Sequence, residues 1–104
     1  SKIQKLVSEL KQELTLIYGK RLKADYLYGS YARGENQPWL DVDIMIVLDS
    51  YQRYGDEIKR TSELNAKLSL EYDLSVSRLF MTEERWRHED SPLLRNIRAQ
   101  GQPA

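Results

Sequence analysis

Two aspartates separated by one residue, Asp41 and Asp43, stand at the start of the most strand-like run in this sequence. On a β-strand, residues i and i+2 project from the same face, so these carboxylates should lie close together. Like charges about 4 Å apart repel by roughly 4 kcal/mol at an effective dielectric near 20, and a divalent cation removes that cost. Mg²⁺ suits the pair because it takes oxygen ligands and completes its shell with water and substrate phosphate. Two such ions would serve an in-line phosphoryl displacement.

A third acid, Asp73, lies between Tyr72 and Leu74 in a run that we predict to be a strand over residues 71–80. If this strand pairs with the one that carries Asp41 and Asp43, three carboxylates converge at one point. Glu71 would share the strand face of Asp73 and is the alternative third acid.

A phosphate-binding turn is indicated by Gly29 and Ser30, which follow a short strand-like run. Glycine lets a phosphate approach the backbone, and the serine hydroxyl and the amides that open a helical turn are hydrogen-bond donors. Arg33 would add positive charge there, or else form a structural salt bridge. The spacing from Gly29 to Gly34 is that of a P-loop, but Glu35 and Asn36 replace the required Lys and Ser or Thr, so this is not a Walker motif.

Composition excludes several kinds of protein. The 104 residues include 16 basic and 16 acidic side chains, one histidine and no cysteine, which rules out thiol nucleophiles, thiolate zinc sites and multi-histidine metal sites. Residues 26–77 carry five basic and nine acidic groups, so we expect no long nucleic acid partner. The longest apolar run, residues 44–48, is too short to cross a bilayer, and the lack of cysteine suits a cytoplasmic protein. We expect residues 1–104 to form one domain.

The elements that must position these residues follow from hydrophobic periodicity and from capping residues. We predict an α+β fold, a small mixed β-sheet packed with helices. Its predicted elements, in order, are a helix ending near Gly19, a strand over 22–28, a loop over 31–40, a strand over 42–48, a helix over 50–69, the strand within 71–80, a helix start capped by Thr82, and a last helix from Ser91 and Pro92 to Gly101.

The acidic pair and the glycine turn together form the pattern G-S-x10-D-x-D, in Gly29-Ser30 and Asp41-Val42-Asp43. This pattern resembles the nucleotidyltransferase superfamily of the DNA polymerase β type, and at this length the chain looks like a minimal nucleotidyltransferase (MNT). The resemblance extends to Tyr72-Asp73-Leu74 and to the closing helix, and therefore covers nearly the whole chain. It implies the polymerase β-like nucleotidyltransferase fold.

The resemblance also implies a role for each site residue. Asp41 and Asp43 would bind Mg²⁺, with two ions expected, and Asp73 would complete the metal site and act as the base toward the acceptor hydroxyl. Gly29 and Ser30 would hold the terminal phosphates of ATP, the substrate. The implied reaction transfers AMP from ATP to a hydroxyl and releases pyrophosphate.

The implied partner is a HEPN-domain toxin encoded next to this chain, whose tyrosine would receive the AMP, so that the protein acts as the antitoxin. Larger relatives add a second domain that shapes the acceptor pocket, so we expect a partner chain or a second copy to complete the site in a hetero- or homo-oligomer. Two alternatives stay open. One is a small-molecule nucleotidyltransferase of the aminoglycoside type, and the other is an antitoxin that masks its partner without catalysis.

Overall fold

A four-stranded sheet with helices on both faces organises the chain in the computed structural model, which describes residues 1–35, 37 and 39–104. Its elements, in order, are α1 (Lys2–Tyr18), a 3-10 turn (Gly19–Arg21), β1 (Leu22–Tyr28), α2 (Gly29–Ala32), β2 (Val42–Leu48), α3 (Tyr54–Arg60), α4 (Ser62–Tyr72), β3 (Val76–Thr82), α5 (Glu83–His88), α6 (Pro92–Gln100) and β4 (Gln102–Pro103). The predicted α+β class is confirmed.

The sheet is mixed, with the strand order β3-β2-β1-β4. Strands β1 and β2 are antiparallel and are joined through α2, whereas β3 runs parallel to β2 after the crossover through α3 and α4. The short β4 pairs antiparallel with β1 at the opposite edge. The start of β2 therefore lies beside the end of β1 and the start of β3. The acidic pair lies at this end of the strands, which we call the acidic edge.

The core has two parts because β2 is buried on both faces. Val42, Ile44, Ile46 and Leu48 face α1 and α4, where they pack against side chains such as Leu10 and Leu68. Met45 and Val47 point the other way and pack against Leu94 and Ile97 of α6. Side chains alternate along a strand, so Asp43 shares the α6 face of the sheet with Met45 and Val47.

The ends of the predicted helices follow their capping residues. The Ser1 hydroxyl accepts a hydrogen bond from Gln4 N at the start of α1, which ends at Gly19 with a φ of 56°. Thr82 caps α5, and Ser91 caps α6 with Pro92 in its first turn. These hydroxyls satisfy amides that have no partner within the helix. The first helix, the two caps and the last helix were therefore predicted correctly.

Two predicted boundaries were wrong. The single helix expected over 50–69 begins only at Tyr54 and is two helices, broken at Thr61, whose hydroxyl donates to Glu57 O at 3.0 Å. The third strand begins at Val76 rather than near Glu71, because α4 continues through Tyr72. The predicted loop over 31–40 includes Asn36 and Pro38, which lie outside the described residues. None of the helices described is long and apolar enough to cross a membrane.

Candidate active site

The acidic pair lies at the exposed edge where β2 begins. Asp41 directly precedes the strand and is exposed, and Asp43 is its second residue and half-buried. Strand β2 is held here from the β3 side, since Val42 N donates to Ser75 O at 2.8 Å. The apolar residues that follow in β2 anchor the strand in the core, so its carboxylates are presented from a rigid element.

The turn after β1 brings Gly29 against the acidic pair. Gly29 has a φ of 71°, in the left-handed region that favours glycine. A Cβ added there would overlap the Oδ2 atom of Asp43 and would lie 3.2 Å from its Cγ. Both the backbone conformation and the carboxylate therefore require glycine at this position, and the sequence-predicted neighbours Gly29 and Asp43 are brought together.

Helix α2, which contains Ser30, is fixed from two sides. The buried Tyr31 donates its hydroxyl to Gln37 O at 3.0 Å, which ties the helix to the segment leading to β2. Gln102 of β4 donates from Nε2 to Ala32 O at 2.9 Å. These contacts hold the Gly29 and Ser30 backbone in place relative to the sheet edge.

The electrostatics of the site centre on Asp43. Burial raises the pKa of the Asp43 carboxyl, the nearby charge of Asp41 raises this pKa further, and Arg33 opposes both effects. Arg33 is exposed and forms a salt bridge to Glu35 at 2.9 Å, so the structural role considered from the sequence is present. Its positive charge also acts on the acidic pair, because it lowers the pKa of Asp43.

Two hydroxyl side chains that the sequence did not single out flank Asp43 on the same face of the sheet. Tyr28 of β1 is its antiparallel partner, and Ser77 of β3 is its parallel partner. Burial, together with Asp43 and Tyr54, raises the pKa of Tyr28 to about 12, so its phenol stays protonated at neutral pH. Only the strand register reveals these neighbours, and no local motif marks either residue.

The predicted strand position of Asp73 is wrong. Asp73 ends α4 in a left-handed conformation, with φ 51° and ψ 48°, and is exposed. It lines a groove together with Leu74, Leu27 and residues of α1, on the face of the sheet opposite to Asp43. Within residues 1–35, 37 and 39–104, no three acidic or histidine side chains are grouped so that they could share an ion. The expected convergence of Asp41, Asp43 and Asp73 is therefore not found.

The alternative third acid, Glu71, also lies away from the pair. It is exposed on α4, and a hydrogen bond with Glu9 of α1 raises its pKa. Tyr72 beside it donates to Glu9 Oε1 at 2.8 Å, on the α1 side of the sheet. The segment 71–73 thus belongs to the packing of α4 against α1 rather than to the acidic edge.

The groove that Asp73 lines has a volume of about 1040 Å³. It lies between the first half of α1 and the β1–β4 edge of the sheet and reaches the turn after β1, since its lining includes Val7, Pro103, Tyr31 and Gly34. Neither Asp41 nor Asp43 lines it. The acidic pair is instead presented at an open edge that a large molecule can reach.

Known proteins resemble this chain in sequence. Residues 3–98 match the family model described as a nucleotidyltransferase domain. Two proteins of Methanocaldococcus jannaschii, both described as proposed protein adenylyltransferases, are similar in sequence. One is 28% identical over 72% of this chain and 75% of its own length. The other is 33% identical over 78% of this chain and 75% of its own length.

Solved structures share the fold. One comes from a tri-AMPylated Shewanella oneidensis HEPN toxin in complex with an MNT antitoxin. It has a TM-score of 0.62 and 21% identity, and the match covers 96% of this chain and 69% of that one. Another, described as a toxin-antitoxin with AMP-PNP, has a TM-score of 0.60 and 24% identity over 98% of this chain and 68% of that one. At these identities the likeness establishes the polymerase β-like arrangement of helices and strands.

Proposed function

Because the chain belongs to the nucleotidyltransferase domain family, we propose that it transfers AMP from ATP to a hydroxyl of a partner protein. The partner is a HEPN-domain toxin, the acceptor is a tyrosine of that toxin, and the protein is its antitoxin. The relatives described as proposed protein adenylyltransferases and the AMPylated HEPN toxin in a similar complex support this assignment. In this proposal, residues 1–104 form one minimal nucleotidyltransferase domain, and the protein acts in the cytoplasm.

Asp41 and Asp43 would hold Mg²⁺, and the oxygen donors of this pair suit that ion. The pKa of Asp43 is raised by burial and by the charge of Asp41, so the two carboxylates repel each other, and a divalent cation would relieve that repulsion. Mg²⁺ needs only one or two protein carboxylates, because water and substrate phosphates complete its octahedral shell. When bound, the cation neutralises phosphate charge and polarises the phosphorus that is attacked.

The turn after β1 would hold the phosphates of ATP. The left-handed Gly29 has no side chain, and its backbone lies directly against the Asp43 carboxylate, so a phosphate bound by this turn would lie next to the acidic pair. Ser30 contributes its hydroxyl, and Arg33 contributes positive charge that already acts on Asp43. The glycine turn, the Ser30 hydroxyl, the Arg33 guanidinium and the two carboxylates would then surround the triphosphate.

The transfer balances as a single displacement. The acceptor oxygen forms a bond to the α-phosphorus of ATP, and the bond from that phosphorus to the bridging oxygen of pyrophosphate breaks. The hydroxyl proton passes to solvent, and pyrophosphate leaves with the electron pair of the broken bond. The chain's own residues bind the triphosphate and orient it in line, which is the main contribution that proteins make to phosphoryl transfer.

The open position of the acidic pair favours a protein acceptor over a small molecule. Sites for small molecules are usually clefts that enclose most of the ligand. Asp41 is exposed, and the groove of about 1040 Å³ lies on the other face of the sheet from Asp43. An acceptor side chain presented by a second protein can reach such an edge, and the second protein would also exclude water from it.

The test is to incubate the protein with the HEPN protein encoded beside it, ATP and Mg²⁺, and to weigh the partner by mass spectrometry. We expect added AMP with the unmodified sequence and none with the double variant Asp41→Asn, Asp43→Asn. The matched control Asp56→Asn, Asp90→Asn removes the same charge from helix and loop positions away from the acidic edge and should retain transfer.

Two outcomes would overturn the enzymatic proposal. One is a partner that gains no AMP while its toxicity is still suppressed by the double variant at Asp41 and Asp43, which is the behaviour of an antitoxin that only masks its target. The other is transfer of AMP to an aminoglycoside but not to the HEPN protein, which is the behaviour of a small-molecule nucleotidyltransferase.

A further inference from the structure

The β3 side of the acidic edge is occupied by serine. The parallel register pairs Asp43 with Ser77, and neighbouring strands lie about 4.8 Å apart, so the two side chains stand next to each other. They share a face, since Leu79 and Met81, two and four residues after Ser77, pack with Met45 on the α6 side. Ser77 is half-buried at the same end of the sheet as Asp43.

The preceding serine reinforces this arrangement. Ser75 accepts the backbone hydrogen bond from Val42 N at 2.8 Å and therefore lies beside the start of β2, next to Asp41. The strand neighbours of both acids on the β3 side are thus uncharged hydroxyl residues. The nearest acid earlier in the chain, Asp73, ends α4 in a left-handed conformation and lines the groove beside α1.

We propose that Ser77, not Asp73, is the β3 residue of the site, and that this chain binds its divalent cation with two carboxylates and a neighbouring hydroxyl. The inference rests on the proposed function, because it concerns the same site. Such a site carries less negative charge around the cation than a site with three carboxylates. A site with fewer carboxylates binds cations more weakly and leaves more of the coordination shell to water and nucleotide.

Cation affinity is the quantity that tests this role. Titration of the free protein with Mn²⁺, followed by isothermal calorimetry or electron paramagnetic resonance, reports binding without nucleotide, partner or turnover. Ser77→Asp places a third carboxylate beside Asp43 and should tighten Mn²⁺ binding by about tenfold, since affinity follows the number of charged ligands. Ser8→Asp adds the same charge to an exposed position of α1, on the other face of the sheet, and should leave binding unchanged.

Asp73→Asn provides a test that does not depend on the folding of Ser77→Asp. We expect Asp73→Asn to bind Mn²⁺ as the unmodified protein does. The proposal is overturned if Asp73→Asn weakens Mn²⁺ binding several-fold, or if a folded Ser77→Asp binds no more tightly than Ser8→Asp. Circular dichroism establishes the fold of each variant.

The same titration separates failure of this inference from failure of the proposed function. Asp41→Asn, Asp43→Asn should abolish Mn²⁺ binding at the site. If it does so while Ser77→Asp has no effect, the metal site stands and the role of Ser77 is lost. If the double variant binds Mn²⁺ as well as the unmodified protein, the metal site of the proposed function fails, and the inference about Ser77 fails with it.

Discussion

The two sides of the acidic edge are built differently. On the β1 side, the turn at Gly29 presses so closely on Asp43 that a single added carbon would overlap the carboxylate. On the β3 side, the neighbour is Ser77, and the residue that ends α4, Asp73, is exposed and faces another surface. The β1 side is therefore sterically constrained by the Asp43 carboxylate, whereas the β3 side has an uncharged neighbour with a small side chain.

This difference indicates where the chemistry of the site depends on exact geometry. The β1 side combines a left-handed glycine with a short helix that is fixed at Tyr31 and at Ala32. A change there displaces a carboxylate. The β3 side contributes a strand partner with a small side chain, so substitutions there should change charge more than position.

Gly29→Ala should have the largest effect. It places a Cβ on Asp43 Oδ2 and imposes a left-handed conformation on a residue with a side chain, so we expect AMP transfer to fall by about 100-fold or more. Gly34→Ala is the matched control, because Gly34 also has a positive φ, of 83°, but nothing lies within 4 Å of its added Cβ. Equal losses of activity in the two variants at equal stability would contradict the steric argument.

Arg33→Gln should have the next largest effect. Removing the positive charge near Asp43 and the nucleotide phosphates should raise the KM for ATP by about tenfold, because charge-assisted contacts to phosphate are worth roughly 1.4 kcal/mol or more. Arg87→Gln is the control, since Arg87 is likewise exposed and salt-bridged, to Glu83 at 3.4 Å. Steady-state kinetics would refute the role of Arg33 if the two variants had the same KM.

Asp73 should matter for backbone conformation rather than for chemistry. A left-handed residue with a side chain costs roughly 1 kcal/mol, which aspartate tolerates better than alanine, so Asp73→Ala should be less stable than Asp73→Gly by about 1 kcal/mol. At the exposed helical Leu70 the order should reverse, because glycine is the poorer helix former. Urea denaturation of the four variants measures both differences, and the same order at both positions would contradict the assignment of Asp73 to a left-handed cap.

Asp43→Asn should have the smallest effect, a pH-dependent gain in stability without divalent cations. The pKa of Asp43 is raised in the folded state, so the folded protein holds its proton more tightly and loses stability as pH rises from the ordinary carboxyl value of 3.8 through the folded pKa. The asparagine variant avoids that loss. Its melting temperature should exceed that of the unmodified protein near neutral pH, but not at a pH below the ordinary carboxyl pKa of 3.8.

Asp49→Asn is a control that should change the melting temperature in the opposite direction. A hydrogen bond from the backbone of Ser50, assisted by Arg21, lowers the pKa of Asp49, so its carboxylate stabilises the fold above the ordinary value and this stabilisation is lost as pH falls. Asp49→Asn should therefore lower the melting temperature near neutral pH. A lower neutral melting temperature for Asp43→Asn as well would show that Asp43 is not a site of unfavourable burial.

Local patterns predicted much of this structure. The stripe that contains Leu6, Leu10 and Leu14 predicted α1, and the alternation from Val42 to Leu48 predicted β2. The serine and threonine caps predicted where α5 and α6 begin. The resemblance that the G-S-x10-D-x-D pattern carries implied that Gly29 lies near the acidic strand, and the antiparallel pairing of β1 with β2 brings the two together.

The errors occur where one segment suits two structures. Residues 62–80 contain a helical run followed by a strand-like run, and the boundary between them depends on how far α4 can pack against α1. The hydrogen bond from Tyr72 to Glu9 and the salt bridge from Lys67 to Glu9 at 3.4 Å favour a longer helix. This tertiary packing moved Asp73 out of the strand and placed Ser77 beside Asp43.

By itself, the sequence determined which residues could bind a cation and a triphosphate, because residue type and spacing along one hairpin are local properties. Only the tertiary structure decided what stands on the third side of the acidic pair, since the parallel pairing of β2 and β3 joins segments separated by two helices. A strand that begins a few residues later presents a different side chain at each position. Here that shift exchanges a carboxylate for a hydroxyl.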